Sequence, residues 1–226
     1  MNSISKEINQ FSLYAKDKGI SSLDQHYHNK QIESNMTPYI LEERDLNVTQ
    51  MDVFSRLMMD RIIWVSGGVD GRMATIVQAQ LLFLDNLGEG DISMYIDSPG
   101  GSVRSGLSMV DVMDYIKSDI STVNAGLAAS MGSILLGAGT KGKRTSLRFS
   151  RTMLHQSSGG FNGNIQDAII DMKEWEKLNM QLFDLLGGYC GKSPKTVMKD
   201  SERNLWFSAK EAMDYGIIDS IITKRK

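Results

Sequence analysis

The sequence predicts an α/β domain built on a mostly parallel sheet. Three observations carry that prediction. Short apolar runs rich in β-branched residues, RIIWVSG at 61–67, DISMYIDSPGG at 91–101 and ISTVNAG at 120–126, each close on glycine, as strands do. Between them, MATIVQAQLLFLDNLG at 73–88 and GLSMVDVMDYIKS at 106–118 place apolar residues three and four apart, the spacing of helices with one buried face. Strand and helix therefore alternate, which implies helices packed over a parallel sheet and ligand sites on the turns beyond the carboxyl ends of strands.

Composition narrows the setting. The chain has 226 residues, 41% of them hydrophobic, enough for one large core. Lys+Arg 25 against Asp+Glu 27 leaves a formal charge of -2, too weak a field to draw nucleic acid or an anionic membrane. The single Cys190 cannot form an intrachain disulfide, and no other cysteine is present for a Cys-based metal site. No run reaches the ~18 apolar residues of a membrane span, and the N-terminus lacks a secretory pattern. The expected location is the cytoplasm, with neither nucleic acid nor membrane as a partner.

Residues 1–36 read as a polar leader, processed or mobile, and residues 37–226 as a single domain. Within that domain SMGSILLGAG reads as helix, TSLRF as extended, and RTML as a short extended run before a glycine-rich turn. The longest periodic segment has Ile165, Ala168, Met172, Trp175, Leu178, Leu182 and Leu185 at helical spacing. A helix of about 22 residues, within roughly 164–187, would reach about 33 Å, so it is either an ordinary core helix or one that projects into another subunit.

Candidate chemistry centres on NAGLAASMGS, residues 124–133, where Ser130 stands among the smallest side chains. Close backbone packing explains such crowding in general. A serine nucleophile at a sharp strand-to-helix turn also needs it, because the tight backbone leaves no room for side chains and its N–H groups must face an oxyanion. The nearby GAGTKGKR, 137–144, misses the phosphate-loop pattern: Arg144 replaces Ser or Thr, and helix precedes strand rather than following it.

A serine needs a base. His26 and His28 sit in the leader, so His155 is the histidine of the domain. Residues 131–154 contain no Asp or Glu, which excludes the Ser, acid, His order of α/β-hydrolases; an orienting acid must precede Ser130 or follow His155.

At this point the chain resembles the proteolytic subunits of the Clp protease family, compartmentalised serine peptidases of the ClpP/crotonase fold. The resemblance runs from about Pro38 to Ile222 through SRLMMDRIIWVSGGV, YIDSPGG, GLAASMGS, GTKGKR, MLHQ and AKEAMDYGIIDSI, in order and at family spacing. It implies repeated β-β-α and βα units with a long protruding handle helix. It implies Ser130 as nucleophile, His155 as general base, and an oxyanion hole from the backbone N–H groups of Gly101 and Met131. Val103, Ser158 and Gly160 match the edges between which an extended substrate pairs as a strand. Glu202 and Arg203 match a ring-interface region, and Tyr95 and Tyr115 an apolar docking patch for an AAA+ Clp unfoldase. The implied assembly is two heptameric rings stacked as a tetradecamer that degrades unfolded polypeptides. No cofactor or metal is implied for this chain, ATP being used by the partner ATPase.

Four positions depart from the family pattern. Asn204, in SERNLWFSAKEA, stands where the third triad member is Asp; Asp200, a helical turn earlier, is an alternative acid. Ser93 and Thr145 stand where docking aromatics are usual, and Ser157 where proline often follows the His-Gln pair. Asn204 motivates an alternative reading, a weakly active or non-catalytic subunit of a mixed Clp particle. An acyl-CoA enzyme of the crotonase type would leave Ser130 and His155 unexplained.

Overall fold

The computed structural model describes residues 39–44, 47–160 and 164–224. The leader 1–36, with His26 and His28, lies outside the described residues. The chain divides into two units between Arg56 and Leu57. In the first, β1 (Tyr39–Arg44) and β2 (Asn47–Asp52) pair antiparallel, and Asp52 accepts from the N–H groups of Phe54 and Ser55 to start α1 (Val53–Met59).

The second unit alternates as expected: β3 (Ile62–Ser66), α2 (Gly71–Leu87), β4 (Ile92–Ser98), α3 (Val103–Tyr115), β5 (Ile120–Ala129) and α4 (Met131–Gly137). Then come β6 (Arg144–Leu147), β7 (Arg151–Leu154), α5 (Ile165–Cys190), α6 (Pro194–Asp200), β8 (Leu205–Ser208), α7 (Ala209–Tyr215) and β9 (Ser220–Ile222). Strands β3-β4-β5-β6-β9 form a parallel path, β7 joins β5 in parallel, and β8 closes on β7 antiparallel. The fold is therefore the mostly parallel α/β arrangement that the alternation predicts.

Period-two alternation puts Ile63, Val65, Ile92, Met94 and Ile96 on the covered face of the sheet. Helix α2 lays Ala74, Val77, Leu81 and Leu84 against the core, and α3 lays Met109, Val110 and Met113 there. Each fully buried Val or Leu contributes about 2 kcal/mol. Side-chain caps from Asp70, Ser102, Asn164, Ser193 and Ser208 set where helices begin, at about 1 kcal/mol each.

Strand β5 is longer than its ISTVNAG core suggests, because it changes neighbour. Thr122 to Asn124 pair with β6, whereas Leu127 to Ala129 pair with β7. Buried Asn124 stitches the change: Nδ2 donates to the Arg151 carbonyl at 2.9 Å and the Thr152 hydroxyl at 3.1 Å, and Oδ1 accepts from the Gly126 N–H at 3.2 Å. This brings the carboxyl ends of β5 and β7 side by side.

The segment Gly137–Arg144 is a structural corner. Lys143 Nζ bonds Asp91 at 2.7 Å and Asp119 at 2.8 Å, and Arg144 Nη2 bonds Asp219 at 2.6 Å, so Lys143 and Arg144 are held by carboxylates. The long helix α5 begins at its Asn164 cap, as expected, and runs to Cys190 before Gly191 ends it. Its two halves differ. Leu182, Phe183 and Leu186 enter the core, but Ile165, Ile169, Ile170 and Met172 are exposed on this chain.

Candidate active site

Ser130 stands between β5 and α4 with φ 54 and ψ -121, a left-handed-side backbone that a side-chain-bearing residue rarely adopts. Holding it there costs on the order of 1–3 kcal/mol, which the neighbouring bonds offset. The Ser130 N–H donates to the Met153 carbonyl at 2.9 Å, and the Ser130 carbonyl accepts from the Ser133 N–H at 3.0 Å and the Ser133 hydroxyl at 2.6 Å. Ser102, Ser193 and Ser208 spend their hydroxyls capping the helices that follow them; Ser130, in the same position before α4, makes no side-chain cap bond.

The small neighbours have specific reasons. A Cβ on Gly100 would stand 2.7 Å from Ser130 Cβ and 2.8 Å from the Met131 nitrogen. A Cβ on Gly132 would stand 2.9 Å from the Ser98 carbonyl oxygen. The SPGG loop and the serine turn can approach this closely only as glycine, so the crowding reflects packing and a turn built around Ser130 together.

SPGG is positioned by a bridge to Val69. The Val69 N–H donates to the Gly100 carbonyl at 2.9 Å and its carbonyl accepts from Ser102 at 2.7 Å, so the N–H of Gly101, between them, points to the opposite side. Gly101 lines a cavity of about 750 Å³. Its lining includes Ser130, His155, Gly101, Met131, Val103, Ser158 and Gly160, all the residues that the sequence suggested for catalysis and substrate binding except Asn204. Since Ser130's own N–H is taken by Met153, Met131 supplies the next backbone N–H of the turn.

His155 follows the last residue of β7. The antiparallel register pairs Met153 with Trp206 and Leu154 with Leu205, and the next residues beyond that last pair are His155 and Asn204. The Gln156 N–H bonds the Ser201 carbonyl at 3.1 Å and ties the two segments together beyond that pair. Asn204 is exposed and does not line the cavity. Among the described residues no hydrogen bond joins Ser130 to His155 or His155 to Asn204; Ser130 and His155 share the cavity. Catalytic bonds are commonly long in a free enzyme and tighten around substrate. Asp200, the alternative acid, accepts at Oδ2 from the Tyr215 hydroxyl at 2.9 Å.

The other suggested residues lie outside the cavity. Glu202 and Arg203 are exposed on the turn between α6 and β8. Tyr95 stacks on Trp64 with ring centres 5.2 Å apart, while Tyr115 is 80% exposed at the end of α3. Ser93 and Thr145 share the sheet face of Tyr95, but Thr145 is buried and bonds the Thr122 carbonyl. Sequence reasoning did not mark the apolar wall from Ile134, Met153, Phe183 and Leu186, which lie on three different elements. Among the described residues no group of three or more His, Cys, Asp or Glu is placed to hold a metal, and no helix is long and apolar enough to cross a membrane.

The family model for the Clp protease matches residues 44–225. The chain belongs to the Clp protease family. Three similar proteins carry the name ATP-dependent Clp protease proteolytic subunit. The one from Bacteroides fragilis strain ATCC 25285 is 51% identical over 191 residues, covering 84% of this chain and 92% of the relative. That from Porphyromonas gingivalis is 45% identical over 221 residues, 97% of this chain and all of the relative. That from Bacteroides thetaiotaomicron is 49% identical over 191 residues, 84% and 87% of the two chains. Clp family membership makes this chain a peptidase, and the cavity at the end of β5 and β7 is its candidate active site.

Proposed function

We propose that this chain is a serine endopeptidase of an ATP-dependent Clp system, with Ser130 as nucleophile and His155 as general base. The observation that supports it most is the strained Ser130 turn, uncapped at its hydroxyl and opening into the same cavity as His155 and Gly101.

The reaction follows from those groups. His155 takes the Ser130 hydroxyl proton as Oγ attacks a peptide carbonyl carbon. The carbonyl oxygen becomes an oxyanion between the N–H groups of Gly101 and Met131, which are fixed before charge develops there. The C–N bond breaks as His155 returns the proton to the departing amine. Water then attacks the acyl-Ser130 ester, giving His155 a proton that passes to Oγ as the acid leaves. The Asn204 amide oxygen accepts from His155 Nδ1–H when the site closes, orienting the ring without supplying a negative charge. Val103 on one side, with Ser158 and Gly160 on the other, pair with the backbone of an extended, unfolded polypeptide, which gives broad specificity.

The wider setting is the cytoplasm, with heptameric rings stacked as a tetradecamer. The exposed apolar half of α5, with Glu202 and Arg203, would meet the facing ring, and Tyr95 and Tyr115 an AAA+ unfoldase that uses the ATP. Names of the relatives support the ATP-dependent setting. Asn204 favours a second reading, a subunit with little activity of its own in a mixed particle. Purified full-length protein tested on a fluorogenic peptide separates the two. Hydrolysis abolished by Ser130→Ala supports the peptidase, and silence of the wild type that Asn204→Asp reverses supports the second reading.

A further inference from the structure

The segment after His155 forms one wall of the cavity, yet Gln156 to Gly160 belong to no strand or helix. What holds that wall is on α5. Trp175 Nε1–H donates to the Ser157 hydroxyl oxygen at 2.9 Å, and the Ser157 hydroxyl donates onward to Asn179 Oδ1 at 2.8 Å. An indole N–H can only donate and an amide oxygen only accept, so the hydroxyl between them is held in one direction. Trp175 and Asn179 are four residues apart and share a face of the helix. The indole also fills the space beside Gly159, where a Cβ would stand 2.2 Å from Cη2. All three side chains are half-buried.

We propose that Trp175, Ser157 and Asn179 form a latch that fixes the substrate-pairing wall to α5. They are positioning residues, and the proposal rests on the peptidase reading of the cavity. The latch makes no hydrogen bond to Ser130 or His155. It therefore acts on capture of an extended peptide, whose strand pairing needs Ser158 to Gly160 in place, and not on the bond-making step. A small activated ester, which reaches Ser130 without pairing along the wall, does not depend on it.

The test uses the full chain with Ser157→Ala, Trp175→Phe and the hydroxyl-retaining Ser157→Thr. Amide hydrogen exchange across 157–160 is read beside hydrolysis of an extended peptide and of a small activated ester. In the Ala and Phe variants the segment exchanges several-fold faster and KM for the peptide rises about 3- to 10-fold, the loss of one net hydrogen bond. Peptide kcat and ester hydrolysis stay within about twofold of wild type, the mark of lost uniform binding, and Ser157→Thr restores both readouts. Unchanged exchange and KM in Ser157→Ala overturn the latch, as do equal losses on peptide and ester. A wild type that hydrolyses neither substrate rejects the peptidase reading instead, and the exchange data then decide whether the latch holds the wall.

Discussion

Ser130 donates its backbone N–H to the Met153 carbonyl at 2.9 Å, two residues before His155. That bond joins the turn carrying the hydroxyl to the strand that delivers the imidazole. It also occupies the Ser130 N–H, so that Met131 carries the next backbone N–H of this turn. The site is thus assembled by the β5–β7 pairing before any side chain of the pair touches another.

The SPGG loop comes closest to the serine turn at Gly100, so Gly100→Ala is expected to cripple peptide hydrolysis. Its φ of 89 already disfavours a side chain, and the new Cβ would stand 2.6 Å from the Ala129 carbonyl oxygen. The turn must shift, and misplacement by about 1 Å lowers rate on the order of 100-fold. Steady-state kcat/KM checks this, with circular dichroism to confirm that the fold survives.

Asn204→Asp is expected to raise kcat. A carboxylate at that position selects the productive tautomer and stabilises the imidazolium; the reverse change lowers turnover by roughly 10⁴-fold in a chymotrypsin-type triad, which sets the ceiling for the gain. The rate of peptide hydrolysis for both proteins at one pH measures it. Asp200→Asn should change that rate little, because Asp200 already serves Tyr215.

Much of this was legible in the sequence, and the gaps have physical causes. Glycine and alanine around Ser130 announce a tight turn because nothing larger fits against Gly100. The extension of β5 to Ala129 was not legible, since Leu127, Ala128 and Ala129 carry no β-branched signal and are strand only because β7 pairs with them. The elements α6, α7, β8 and β9 are three to seven residues long, too short for a period to show. The first hairpin lacks clean alternation. Ser157 stood out only as a departure from proline; its partners lie on a helix whose stripe could be read from spacing, but not which way its indole nitrogen pointed.

Asn124→Ala is expected to destabilise the fold by about 2 kcal/mol. It leaves the Arg151 carbonyl and the Gly126 N–H without their partner at a fully buried site where β5 changes neighbour. Urea unfolding gives the difference, and activity should fall with it because the same bonds align β7.

Acid stability should depend on Asp219. Burial alone would raise its carboxyl, but bonds from the Arg144 guanidinium and backbone and from the Gly142 N–H outweigh burial and hold it below the usual carboxylate range. A depressed folded value means that this stability is present above the ordinary carboxylate value near ~4 and is lost as pH falls through the lower folded one. Asp219→Asn removes that acid limb and, by stranding buried Arg144, costs about 3 kcal/mol at neutral pH. Thermal unfolding of both proteins across pH 2–7 checks the sign.

The most direct measurement is labelling of the purified protein with a fluorophosphonate, followed by peptide mass mapping. A single adduct on Ser130, formed at a rate that collapses in His155→Ala and in step with loss of peptide hydrolysis, is the predicted result. Peptide hydrolysis that persists with Ser130 unlabelled, or survives Ser130→Ala, would contradict the account.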